Sequence, residues 1–340
     1  MKKDFTCTNI SKNTFNQLYI TDKQQLEKIE DTNIRLRCYV DDFLIAITEL
    51  GKIKDKSINY LVRIRENLIL DNYDNLFDVF KELVQYKNNI FGLELTLSSK
   101  VKEDDFKKLT QFLQCITLKF DLKLNLGSMK VFNEKQLNTL KNINKNLNIK
   151  LNINQFYQGK YRDNNMCDNS YIIDDLISIK EKINEIINKI PSGYNDLEKI
   201  LFLYKYLGKK VKYSDKISDL KDEKRKSHDL KSIYDVLFNS KGVCSSIAAT
   251  FRVLMEAIDI ECQVVSSLSH EWNVVKIDEI WYHLDLTWDL YNIKHNYPLS
   301  YFLKSERYIQ KDKDHKIIYY YAEKEEIASR SIPIRLYKKL

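Results

Sequence analysis

The chain has 340 residues, 44% hydrophobic and 30% charged, which is enough to bury a sizeable core and predicts two domains. Its net charge of +7 comes from 55 basic and 48 acidic side chains that interleave along most of the sequence, so a polyanion-binding face is not expected. No apolar run approaches the roughly 18 residues of a membrane helix, and neither nucleic acid nor membrane is an expected partner.

The start, MKKDFTCTNI, breaks its basic residues with Asp4 and polar side chains where a secretory leader would be apolar. The expected compartment is the cytoplasm, or the exterior if a leader has been removed. Cys7, Cys38, Cys115, Cys167, Cys244 and Cys262 are scattered, with no CxxC pair and no histidine at metal-ligand spacing. That predicts no metal, no other cofactor and no dense disulfide framework.

Short alternating apolar runs begin at Ile34, Val62, Leu93, Leu122 and Ile149, a period of about 30 residues. Helical patterns lie between several of them, at 74–87, 103–114 and 133–147. Strand and helix units at this period predict a β/α repeat-like domain over residues 1–155 with a parallel sheet, or a short leucine-rich-repeat-like solenoid. Strict alternation in LELTL and LKLNL leaves one face polar and favours a sheet covered on one side.

The pattern is lost in NQFYQGKYRDNNMCDNS, so 156–170 is read as a linker and 171–340 as a second domain. There YIIDDLISIKEKINEIINKI and YNDLEKILFLYKYLGKKV predict two helices, the second capped by Asn195 or Asp196. The mixed-sign run 221–231 is a solvated loop, and SIYDVLFNS a short third helix. A helix opening at Cys244 is followed by three alternating runs, ECQVVSSLS, EWNVVKID and IWYHLDLTW, with a hairpin turn at Asp278-Glu279. Helices followed by an antiparallel sheet make an α+β layout.

Cys244, at the start of an apolar helix, sits where backbone amides and the helix dipole favour a thiolate and could hold an oxyanion. A turn at 278–279 would bring His270, opening one strand, opposite Asp285 near the end of the next. A thiol, an imidazole and a carboxylate are the minimum set for covalent acyl transfer. His283 shares a strand face with Asp285 and competes with His270 for the base; Asp289 competes with Asp285. Cys262 reads as a core residue, and His228, His295 and His315 as surface residues in charged stretches.

GVCSSIAATF, SHEWNVVKIDEIWYHLDLTWD and the preceding NDLEKILFLYKYLGKKVKY resemble the core of the transglutaminase-like superfamily over roughly residues 190–310. The resemblance implies a papain-like fold and a triad of Cys244, His270 and Asp285, with Trp272, Asn273, His283 and Trp288 as secondary site residues. It also implies an oxyanion partner upstream of the nucleophile, for which Tyr213 is the candidate. Ser246, Ile247 and Ser269 stand where similar proteins carry Gly, an aromatic residue and Gly, which would alter the acyl pocket. The expected function is cysteine-dependent acyl transfer on a protein or peptide carboxamide, by hydrolysis or by transamidation. No calcium-loop spacing accompanies it. The alternative is a non-catalytic scaffold in which the N-terminal domain binds a protein or glycan partner.

Overall fold

The computed structural model describes residues 5–11, 14–20, 33–38, 59–64, 90–97, 100–114, 120–153, 155–157, 160–162, 170–214, 232–317 and 326–333. The chain divides into two compact units, one of residues 1–153 and 170–174, the other of 154–169 and 175–340.

The first unit contains β1 (Phe5–Ser11), β2 (Thr14–Ile20), β3 (Asn33–Cys38), β4 (Asn59–Ile64), β5 (Ile90–Leu97), α1 (Glu103–Gln114), β6 (Phe120–Leu126), α2 (Glu134–Asn142) and β7 (Leu147–Ile153). Strands β3 to β7 run parallel, in an order that places the sequence repeats side by side: Leu36 beside Val62, Val62 beside Leu93, Leu93 beside Leu122, Leu122 beside Ile149. Antiparallel strands flank this parallel core, β1 and β2 on one side.

Leu122, Leu124, Leu126, Leu151 and Ile153 are buried, as are Phe106, Leu109 and Leu113 of α1 and Leu137 and Leu140 of α2. The alternating Lys150 and Asn148 are exposed, so β7 buries one face, as period-two patterning requires. Helix α2 stops earlier than the predicted 147, because Asn144 accepts a hydrogen bond from the Asn146 amide at 2.9 Å and turns the chain into β7. The helix expected over 74–87 lies outside the described residues.

The segment read as a linker carries β8 (Gln155–Tyr157) and β9 (Lys160–Arg162), paired antiparallel. Strand β10 (Ser170–Tyr171) then pairs antiparallel with β7. Helix α3 (Ile173–Ile187) leads into the second unit, followed by α4 (Asp196–Lys210). Asn195 is the cap of α4: its side chain accepts from the Glu198 amide at 3.0 Å, and Glu198 accepts from the Asn195 amide at 2.8 Å.

Strand β11 (Lys212–Tyr213) lies parallel to β12 (Lys241–Gly242), which is preceded by a π-helical turn at Asp235–Asn239. Helix α5 (Cys244–Ala257) then packs on an antiparallel sheet of β13 (Cys262–Ser266), β14 (Glu271–Ile277) and β15 (Ile280–Leu284), and contacts α4 and α6 (Leu286–Lys294). A short α7 (Glu306–Ile309) follows. This unit is α+β.

Its centre is aromatic: Tyr204 of α4 meets Phe251 of α5 and Phe302 edge-on, with ring centroids 5.7 and 4.9 Å away. Full burial of each such side chain stabilises the fold by roughly 1.5–3 kcal/mol. Gly208 lets α4 approach α6 closely, since a Cβ there would collide with Ile293. Among the described residues no helix is long and apolar enough to cross a membrane.

Candidate functional site

Cys244 is the first residue of α5, and the residues before it explain how the chain turns into that helix. A Cβ on Gly242 would lie 2.7 Å from both the Ser246 hydroxyl and a Val236 methyl, so only glycine fits beside the helix start. The Ser246 hydroxyl accepts from the Val243 amide at 3.1 Å and closes the first turn. Ser246 thus has a local duty at one of the positions where the chain departs from its resemblance. Cys244 is half-buried and carries no disulfide, and the amino end of a helix favours an anion at this place.

His270 directly precedes β14 and is 7% exposed. Its Nε2 lies 2.6 Å from Oδ2 of Asp285. Burial acts to lower its pKa, but hydrogen bonds to Asp285 and Cys244 outweigh this and raise it to about 10. With Nε2 committed to the carboxylate, Nδ1 is the nitrogen available to the thiol. The structure therefore brings Cys244, His270 and Asp285 together.

Asp285 reaches His270 by a route the strand pairing does not supply. The ladder pairs Asn273 with Leu284 and Ile277 with Ile280 around a turn at Asp278-Glu279, a register that puts Asp285 opposite Trp272. The expected opposition of His270 and Asp285 within the ladder is thus corrected: β15 ends at Leu284, and Asp285 is the cap of α6, its Oδ1 accepting from the Trp288 amide at 3.1 Å. Leaving the strand frees Oδ2 to turn toward the imidazole. Burial opposes ionisation of Asp285, yet the hydrogen bonds from His270 and His315 hold its pKa below the usual carboxylate range.

His315 was the residue that sequence reasoning missed. Expected at the surface, it is fully buried, and its Nε2 lies 2.8 Å from the same Oδ2 of Asp285. The one signal in the sequence is the apolar IIYYY run that follows it. His270, Asp285 and His315 also form a group of potential metal ligands, their donor atoms all within 4.8 Å of one another. The 2.6 and 2.8 Å separations are those of charge-assisted hydrogen bonds. Two ligand atoms about 2.0–2.1 Å from a shared tetrahedral ion would stand farther apart.

The competitors are engaged elsewhere. His283 is buried on β15, and its Nδ1 accepts from the Trp272 indole at 3.0 Å. Burial, with His315 nearby, lowers its pKa to about 3, so it is neutral and unsuited to the base. Asp289 lies in α6 and binds the Tyr204 hydroxyl at 2.9 Å and the Ser300 and Tyr301 amides at 2.8 and 3.0 Å, which ties α4 and a loop to α6.

Trp272 stacks on His270 with centroids 5.7 Å apart, and Trp288, 37% exposed, lies 6.0 Å from the same ring. Asn273 donates to the Ala248 carbonyl at 2.9 Å, fastening α5 to β14, and is a structural tie. Tyr213 is half exposed and its backbone pairs with Gly242, two residues before the thiol. Burial pushes the Cys262 thiol up to about 12.

Residues 184–286 match a family model described as the transglutaminase-like superfamily. Among solved structures, one titled "Crystal structure of a TGase" is similar at 15% identity over 33% of this chain and 32% of that chain, with a TM-score of 0.27. The similarity thus spans about a third of that protein's length. A comparison with curated proteins gave no match.

Proposed function

Because residues 184–286 form a transglutaminase-like domain, we propose that the protein is a cysteine-dependent acyl-transfer enzyme acting on a carboxamide or peptide bond. The observation that carries this reading is His270 hydrogen-bonded at once to Cys244 and Asp285. Cys244 attacks the carbonyl carbon as its C–S bond forms. The departing amine or ammonia takes a proton from the His270 imidazolium, leaving a thioester. Water or a primary amine then attacks the thioester, His270 accepts its proton, and the C–S bond breaks to regenerate the thiolate.

Asp285 holds the ring so that Nδ1 faces the sulfur and steadies the positive charge. Trp272 and Trp288 flank the imidazole. Tyr213, beside Gly242, is the candidate upstream partner for the oxyanion.

Iodoacetamide labelling of the full chain at pH 6, with each cysteine peptide resolved by mass, tests the activated thiol. Cys244 is expected to react at least tenfold faster than Cys262, whose thiol burial disfavours as an anion. Equal rates would remove the proposal.

A further inference from the structure

We propose that His315 is a positioning residue for this chemistry: a second donor to Asp285 that fixes the carboxylate and tempers its pull on His270. The inference rests on the acyl-transfer reading, yet His315 lies outside the matched residues 184–286.

The ring is immobilised on several sides. It stacks on Tyr301 with centroids 5.4 Å apart and an 18° tilt, meets Trp272 at 4.9 Å and Trp288 at 4.7 Å edge-on, and stands at 88° to His270. Its backbone amide donates to the Asp312 carbonyl at 3.1 Å. Those contacts hold the plane of the ring, and within that plane Nε2 faces the carboxylate. Its Nε2 is therefore delivered to Oδ2 of Asp285.

A carboxylate can only accept, so His315 Nε2 carries the proton in that bond. His270 donates to the same oxygen, and the Trp288 amide donates to the other. Three donors fix the carboxylate plane. Two donors sharing one oxygen also divide its charge, so each imidazole feels less of the anion than it would alone. A general acid and base works best when its proton is held neither too tightly nor too loosely. The titratable groups around the pair are Cys244 on α5, Asp285 at the start of α6, His283 on β15, Tyr301, which stacks on His315 and donates to Asp312, and Asp312 itself, whose Oδ2 lies 4.0 Å from His315 Nδ1.

The test compares the full chain with His315→Phe, which keeps an aromatic ring and loses the donor, and His315→Gln, whose side-chain amide restores an N–H. Nitrogen-15 NMR of histidine-labelled protein reads the His270 ring titration directly. In His315→Phe the His270 titration is expected to move upward by about one unit, a tenfold gain in proton affinity, and His315→Gln is expected to return it toward the parent. A folded His315→Phe protein with the titration unmoved or lowered, or a glutamine variant indistinguishable from phenylalanine, would overturn the role. So would ring N–H signals at Asp285 that appear only after dialysis against EDTA, since a ligating nitrogen carries no proton and the three groups would then hold a cation in the untreated protein. Labelling of Cys244 in the unsubstituted protein judges the acyl-transfer reading separately.

Discussion

Asn273 shows how a side chain near the site serves the frame and not the chemistry. Its amide reaches the Ala248 carbonyl in α5 and lies 3.6 Å from the Cys262 sulfur. Replacing it by leucine removes this tie while the Ala248 carbonyl keeps its intrahelical bond, and urea unfolding is expected to show a loss of about 1 kcal/mol. Cys244, His270 and Asp285 were legible in the sequence because each sits in a short motif with its own local logic. His315 was not, because KDKDHK reads as solvated and its partner lies 30 positions away. Burial of such a residue is decided by tertiary packing, which spacing does not encode. The same holds for separating His283 from His270: both lie near the β14–β15 hairpin, and the indole of Trp272 commits His283 elsewhere.

Among the elements, the β14–β15 hairpin was read at its turn and misread at its end. Asp278 and Glu279 both have positive φ, 48° and 62°, as a two-residue type I′ turn requires. Neither is glycine, so the turn is strained. Asp278→Asn combined with Glu279→Gly is expected to stabilise the protein by about 1 kcal/mol, measured by thermal or urea unfolding. The Lys276–Glu279 pair that would be lost is exposed at Glu279 and contributes little.

The misreading came from LDLTW, whose alternation continues the strand pattern while Asp285 is also a good helix cap; the cap prevailed. Gly242 belongs to the same scale. Gly242→Ala is expected to displace the first turn of α5 and slow Cys244 labelling, because Ser246 and Val236 leave no room for a methyl group. In the first unit the 30-residue period was legible because parallel strands repeat their apolar faces in register. Its antiparallel flanking strands carry no such repeat.

At the scale of the molecule, two of the described histidines carry opposite shifts and pull stability in opposite directions as pH changes. His270 is raised to about 10, so its stabilisation is complete below the unfolded value near 6.5 and fades as pH rises toward 10. His283 is lowered to about 3, so between 6.5 and 3 the unfolded chain binds a proton that the folded one refuses, and stability falls as pH drops. From these two groups Tm is expected to peak near pH 6.5. His283→Gln, which can still accept from the Trp272 indole, should flatten the acid limb while leaving the alkaline one in place.

Asp285 opens α6 through one oxygen and gathers two rings through the other. A lineage that abandoned catalysis could shed the sulfur of Cys244 at little architectural cost, whereas discarding Asp285 would strip a helix of its first anchor and strand two buried imidazoles. Inactive descendants should therefore lose the nucleophile early and keep the acid last, and retention of that aspartate is a mark of ancestry more than of turnover.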